Sequence, residues 1–236
     1  MIKLIARLRL PLLLCWLSMA SLSSYGDESN NFEALFTAQA NKEQLGQLAQ
    51  RLNMGDSAQG RFTQYRYLSV LNKPLISQGE FIFKEELGLA WLQHTPFESA
   101  LILTQGTLIQ IDSDGNQQVT QAGDNRQANS LAQMMPTLMS ALLRGDIDPL
   151  ATQFSLHLLQ DEQGWQLGLI PLDPLLAKAI EAIVLQGNQG IDALTLLNPN
   201  GDRSQIQFTQ LSNAPLTDEQ LGYFAGVADT APLSTP

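Results

Sequence analysis

Residues 60–111 read GRFTQYRYLSVLNKPLISQGEFIFKEELGLAWLQHTPFESALILTQGTLIQI. Short apolar segments are cut at close intervals by Asn72-Lys73-Pro74, by Glu86 to Gly88 and by Gln105-Gly106. Such residues supply a fixed or positive φ at low cost. Connections this short force neighbouring strands to run antiparallel. The stretch therefore predicts a meander with strands at 59–71, 76–85, 88–94, 98–105 and 107–112. A sixth, 116–121, follows the turn Asp114-Gly115-Asn116.

Outward from this meander the pattern alternates between sheet and helix. Upstream, Phe32, Leu35 and Phe36 form one apolar cluster, and Leu45, Leu48, Ala49 and Leu52 recur at helical spacing, which predicts helix over 31–53. Asn41 and Gln44 suit a capped restart within it. Downstream, Leu131, Met134, Met135, Leu138, Met139, Leu142 and Leu143 fall on one face of a helix over 127–144, with a kink or late start expected at Pro136. Strands resume at 152–160, 164–171, 180–186, 190–197 and 203–210. A short helix is expected around Pro174 to Lys178 and another over Leu216 to Phe224. In 203–208, Ser204, Ile206 and Phe208 alternate with Arg203, Gln205 and Gln207, so that strand should have one wet face.

Eleven antiparallel strands curl, and a curled sheet must close or be covered. A helix with a continuous apolar stripe must press it against that sheet. The expected fold is mainly β with helices (α+β), an incomplete antiparallel barrel of about eleven strands under a helical lid. Three methionines in the lid suit an element that adapts to ligands of variable shape, although core filling alone would also explain them. The expected wall of an apolar cavity is Phe62, Tyr65, Phe81, Phe83, Trp91, Leu101 and Leu103 from the sheet. Met134, Met135, Leu138, Met139 and Leu142 complete it from the lid. Phe97 belongs to the same aromatic cluster.

The ends and the charge narrow the setting. Lys3, Arg7 and Arg9 precede the apolar run Leu10 to Ala20, and small and polar residues follow through Gly26. This is the pattern of a secretory signal peptide over 1–26, with cleavage after Ala20 or Gly26. The run is shorter than the roughly 20 residues that span a bilayer. The remaining organisation is one lipid-carrier domain over 27–226 and a disordered tail over 227–236. Cys15 is the single cysteine, and its neighbours Leu13, Leu14 and Trp16 do not form a lipid-modification site. It leaves with the leader, which removes disulfides, thiolate metal sites and cysteine nucleophiles from the mature chain. All 23 acidic residues lie beyond Gly26 while three of the 13 basic ones precede it, so the formal charge moves from −10 to −13 on cleavage. A chain so acidic is not drawn to nucleic acid, and anionic membrane surfaces should repel it too, which suits a shuttle better than a resident surface binder.

Catalytic chemistry is sparse. His94 and His157 are the only histidines, and both read as solvated strand residues. No HExxH, Gly-x-Ser-x-Gly or P-loop pattern occurs. Asp112, Asp114 and Asn116 resemble the start of a calcium loop, but no glutamate follows at the twelfth position, so a hairpin turn is expected. No enzyme activity, cofactor or metal is expected.

The chain resembles the periplasmic outer-membrane lipoprotein carriers, the LolA family, as a divergent member. The resemblance rests on Gly60-Arg61-Phe62-Thr63-Gln64, Ser77-Gln78-Gly79-Glu80-Phe81, Leu89-Ala90-Trp91, Pro96, Gly106 and the late segment Gly201 to Phe208. It implies a half-barrel with a helical lid that shields acyl chains of lipoproteins or lipids. It also implies a monomeric shuttle that takes cargo from an inner-membrane transporter to an outer-membrane receptor. A lipid-sensing or regulatory protein-binding module on the same fold is the alternative. Family members carry an arginine after the second strand that latches the lid. Here Lys84 is followed by Glu85 and Glu86, so that latch is missing.

Overall fold

The computed structural model describes residues 32–52, 54–104, 107–121, 138, 141, 143–145 and 147–225. The leader, the tail and most of the lid helix, with Pro136, Met134, Met135, Met139 and Leu142, lie outside the described residues. Two short helices open the described chain, α1 (Glu33–Thr37) and α2 (Lys42–Leu52). The break between them is capped as expected: Gln44 N donates to Asn41 Oδ1 at 2.9 Å, and Asn41 N to Gln44 Oε1 at 3.4 Å. The meander follows as β1 (Ser57–Tyr67), β2 (Leu75–Lys84), β3 (Gly88–Thr95), β4 (Ser99–Thr104), β5 (Thr107–Ile111) and β6 (Gln117–Gln121). Leu138, Ala141, Leu143 and Arg144 are helical. After them come α3 (Leu150–Gln153), β7 (Phe154–Gln160), β8 (Trp165–Pro171), α4 (Pro174–Ala177), β9 (Ala182–Gly187), β10 (Ala193–Leu197), β11 (Arg203–Ser212) and α5 (Asp218–Ala225). No helix among the described residues is long and apolar enough to cross a membrane.

All eleven strands join one antiparallel sheet in the order β6-β5-β4-β3-β2-β1-β11-β10-β9-β8-β7. The sheet is not closed, so β6 and β7 are its edges, and the expected incomplete barrel is what the chain forms. Period-two alternation through the register sorts the side chains into two faces. Phe62 lies opposite Gly79 and Phe208, and Ala58 opposite Phe83. Phe81 faces Trp91, Trp91 faces Leu101, and Leu89 faces Leu103. Across β11 the same face continues through Ile206, Leu194, Leu185, Leu167 and Leu158. These residues form one buried cluster with Leu48 and Leu52 of α2 and with Leu138, Ala141 and Leu143. We call this the inner face.

The outer face has two smaller covers. Phe224 of α5 packs on Ile82, Ala90, Leu92, Ile102 and Ile109. Phe32 and Leu35, at α1, pack on Val184. Gly168 leaves room there, because a Cβ would lie 2.8 Å from the Phe36 ring.

Gly79 has the matching role inside. It is buried in β2 between Phe62 of β1 and β3, and its missing side chain lets the Phe62 ring cross β2. That ring stacks on Trp91 with centroids 3.8 Å apart and planes at 22°. A Cβ at Gly79 would sit 2.8 Å from the Phe62 ring and would run into the Leu92 carbonyl oxygen. Overpacking of this kind costs about 1–3 kcal/mol. Gly79→Ala is expected to lower the urea midpoint accordingly, whereas Gly46→Ala, on α2 with open space around it, should raise it slightly.

Candidate functional site: the inner face and its roof

Of the wall residues expected from sequence, Phe62, Phe81, Phe83, Trp91, Leu101 and Leu103 come together on the inner face, with Leu138 above them. Phe62, Phe81, Phe83 and Leu103 are each 2% exposed and Leu138 is fully covered. Phe81 also meets the Phe208 ring edge-on at 5.6 Å, so the aromatic wall spans the join between the two halves of the sheet. Tyr65 is not part of it. It sits three residues after Phe62 and pairs with Ile76, which puts it on the outer face. Phe97 is also misplaced in the sequence reading, because the β3–β4 turn carries it 71% exposed to solvent.

The second half of the wall was not singled out from sequence: Phe154, Leu158, Trp165, Leu167, Leu185, Leu194 and Phe208. Its signal was present in the alternation of β8 and β11, where the inward positions are the apolar ones, whereas β9 is apolar on both faces because α1 covers its outer side. Leu48 and Leu52 of α2 complete the roof, a function that helical periodicity alone does not assign.

The roof is fastened at one end of the sheet. Met54 N donates to Leu143 O at 2.5 Å. Gly145, with φ +71, presses its Cα side on the Ala49 carbonyl of α2, where any Cβ would collide. Arg144 forms an ion pair with Glu85 and lies 3.7 Å from Asp56 Oδ1. Asp56 precedes β1, Glu85 follows β2, and Glu85 N donates to Asp56 O at 3.0 Å. The position where an arginine latch was missed thus holds the acidic half of a pair, with the arginine on the roof instead.

Towards the opposite end, the inner face of β3 to β6 borders a concavity of about 480 Å³, lined among the described residues by Trp91, Gln93, Leu101, Gln110 and Gln118 with the Asp112 turn at its edge. Two expected wall residues, Trp91 and Leu101, form its floor. Asp112 is the anchor of a hairpin turn, as expected, and accepts from Asn116 N at 2.9 Å, Asn116 Nδ2 at 3.0 Å and Asp114 N at 3.0 Å. The Asn116 side chain, foremost among these donors, holds its pKa below the ordinary aspartate value. A second hollow of about 440 Å³ lies beside Trp165, bordered by Gln160, Gln163, Gln166, Gln186 and Asp192. Its rim is mostly polar.

The histidines lie away from both hollows. His94 Nε2 is 3.5 Å from Glu80 on the surface. His157 is on the outer face, as alternation implies, but it is buried rather than solvated, because α1 covers it with Phe36 at 5.7 Å. Ser155 Oγ lies 3.3 Å from its Nε2, while Nδ1 has no hydrogen-bond partner. A serine–histidine catalytic pair needs a third group at that nitrogen to orient the ring, and access for substrate. Neither is shown here. No group of three metal-ligating side chains occurs among the described residues.

The chain was compared with known proteins on this footing. It matches the family model for outer membrane lipoprotein carrier protein LolA over residues 53–222. No curated protein matches it. Among solved structures it is similar to a LolA superfamily protein from Nitrosomonas europaea, at 10% identity and a TM-score of 0.44, covering 76% of this chain and 96% of that one. It is similar also to a DUF1329 family protein from Desulfovibrio piger, at 10% identity and a TM-score of 0.46, covering 78% and 95%. The family match takes in all eleven strands, together with most of α5, and on that match the chain belongs to the LolA family of outer membrane lipoprotein carrier proteins.

Proposed function

We propose that the protein is a periplasmic carrier, freed of residues 1–26 on export, that shields acyl chains of lipoproteins or lipids against its inner face and shuttles them towards the outer membrane. The supporting observation is the kind of cover this face has. A wall of Phe62, Phe81, Phe83, Leu103, Leu167, Leu185 and Phe208 is roofed by helices rather than by a second sheet. Among the described residues, that roof is fastened at one end by few polar contacts. Ion pairs as exposed as Arg144–Glu85 contribute only about 0.2–1 kcal/mol. Each acyl methylene taken out of water gives about 0.8 kcal/mol, so one lipid chain outweighs the pair several times over. Cargo can therefore displace the roof, and the roof can close the wall once cargo has left. Transfer between partners then follows from differential affinity for the open and closed forms.

The chemistry of the site supports a binding protein rather than an enzyme: its buried wall is apolar, the hollow beside it is edged by amides rather than by an acid–base pair, and Ser155–His157 lies beneath α1 on the other face. A transporter in the inner membrane and a receptor in the outer membrane are the expected partners, with the carrier monomeric between them.

Two measurements test this reading. Purified protein should carry acyl lipid detectable by mass spectrometry, or take up a fluorescent fatty acid. Leu101→Gln should weaken that uptake by roughly ten- to a hundredfold, because burying an unpaired amide costs about 1–3 kcal/mol. Absence of lipid from both native and lipid-fed preparations would falsify the carrier reading. Arg144→Ala should speed probe exchange several-fold with little change in melting temperature. Exchanging the charges in one chain (Arg144→Glu with Glu85→Arg) should return the rate towards that of the parent. Equal exchange rates in all three proteins would show that the pair does not hold the roof.

A further inference from the structure

The hairpin between β1 and β2 is a basic segment in an acidic chain. Ser57 to Gly79 holds three cations, Arg61, Arg66 and Lys73, and no carboxylate, although the full sequence has 23 acidic residues against 13 basic. Its tip is also apolar and uncovered. Val70 is 84% exposed, Leu75 52%, Ile76 51% and Leu71 45%. The turn is nevertheless well held. Ser69 N donates to Asp202 Oδ1 at 2.8 Å and Leu71 N to Leu68 O at 2.9 Å. Asp202 is further engaged by Asn200 Nδ2 at 2.9 Å and lies close enough to Arg66 to feel its charge. The neighbouring Arg203 guanidinium lies over the Tyr67 ring at 4.2 Å.

The place of this hairpin in the sheet gives it a use. The start of β2 lies beside the end of β3, since Gln78 pairs with Thr95. The hairpin therefore projects from the end of the sheet where the concavity over Trp91 and Leu101 opens, opposite the end where Arg144 fastens the roof. Exposed Phe97 projects from the same end.

We propose that the β1–β2 hairpin docks reversibly on an anionic lipid surface and so turns the open end of the inner face towards a bilayer. A convex tip of apolar side chains flanked by long cationic ones fits the headgroup layer. Val70, Leu71, Leu75 and Ile76 enter the acyl boundary while Lys73 and Arg66 keep their charges at the phosphates. The charge around the tip suits anionic lipid, and the acidity of the remainder keeps the attachment weak and local. Acidic Asp112 and Asp114 sit at the β5–β6 turn, three strands away from β2 in sheet order, and exposed Glu98 follows Phe97 in the β3–β4 turn, so the approach is closest on the hairpin side of this end. The inference does not rest on the cargo reading. Vesicle binding and acyl-chain uptake are separate measurements, and either can fail while the other holds.

The test is flotation of the processed chain, its N-terminus verified by mass spectrometry, with protein-free vesicles. One set contains phosphatidylethanolamine with phosphatidylglycerol, the other phosphatidylcholine alone. Binding is expected to the anionic vesicles in low salt and to fall away in high salt. Val70→Ser with Leu71→Ser, and separately Lys73→Glu, should each reduce the bound fraction about tenfold without moving the melting temperature. In Val70→Trp, emission should shift to the blue only when anionic vesicles are present. The proposal is overturned if the parent chain floats with neither vesicle, if the tip variants float as well as the parent, or if attachment needs native membranes containing protein. The last result would assign the hairpin to a protein partner.

Discussion

A sheet whose inner face carries a contiguous apolar cluster cannot leave that cluster in water, and this single constraint governs the architecture. The inner face runs from Leu103 through Phe81 and Phe62 to Phe208, Leu185 and Leu167 without a polar interruption in the buried cluster. Exposing even one of its large side chains would cost about 1.5–3 kcal/mol. Because β6 and β7 do not pair, closure into a full barrel cannot meet the demand, and helices must. Gly79 belongs to the same solution. By omitting a side chain it allows Phe62 to reach Trp91, so the wall becomes a continuous aromatic surface rather than separate ridges.

Meeting the constraint with a roof rather than a second sheet has a functional side. A sheet-on-sheet core is fixed on both sides by hydrogen-bonded ladders, whereas the roof here rests on side-chain contacts and a small fastening at one end. The fastening combines a backbone hydrogen bond from Met54, a glycine contact at Gly145 and the Arg144 ion pair. Each of these is local, and among the described residues none crosses the middle of the wall. The apolar middle is thus held by the same non-directional attraction that would hold a fatty chain in its place.

Much of this was legible in the residues. The strands were, because turn residues punctuate the chain and alternation marks each face. All eleven appear within a few residues of their expected limits, and Asn41 with Gln44 marked the break between α1 and α2. The errors have specific physical sources. Tyr65 was grouped with Phe62 by composition, when an odd separation along a strand places two residues on opposite faces. Phe97 was grouped by proximity in sequence, yet a turn carries it. His157 was placed on the correct face but left wet, because nothing local tells that α1 folds back over it. Arg144 could not be matched with Glu85 from sequence, since the two are brought together only when the roof is seated. For the lid residues Met134, Met135, Met139 and Leu142, which lie outside the described residues, the expectation stands as a proposal.

The strand order carries a consequence for how the molecule is made. β1, the first strand in the chain, stands in the middle of the sheet and pairs on one side with β11, the last. During synthesis the early meander therefore presents a bare edge until almost the entire polypeptide has emerged. Pairings so distant along the chain are slow to form. A polypeptide of this layout stays incompletely folded until its last strand is available to close the seam beside β1.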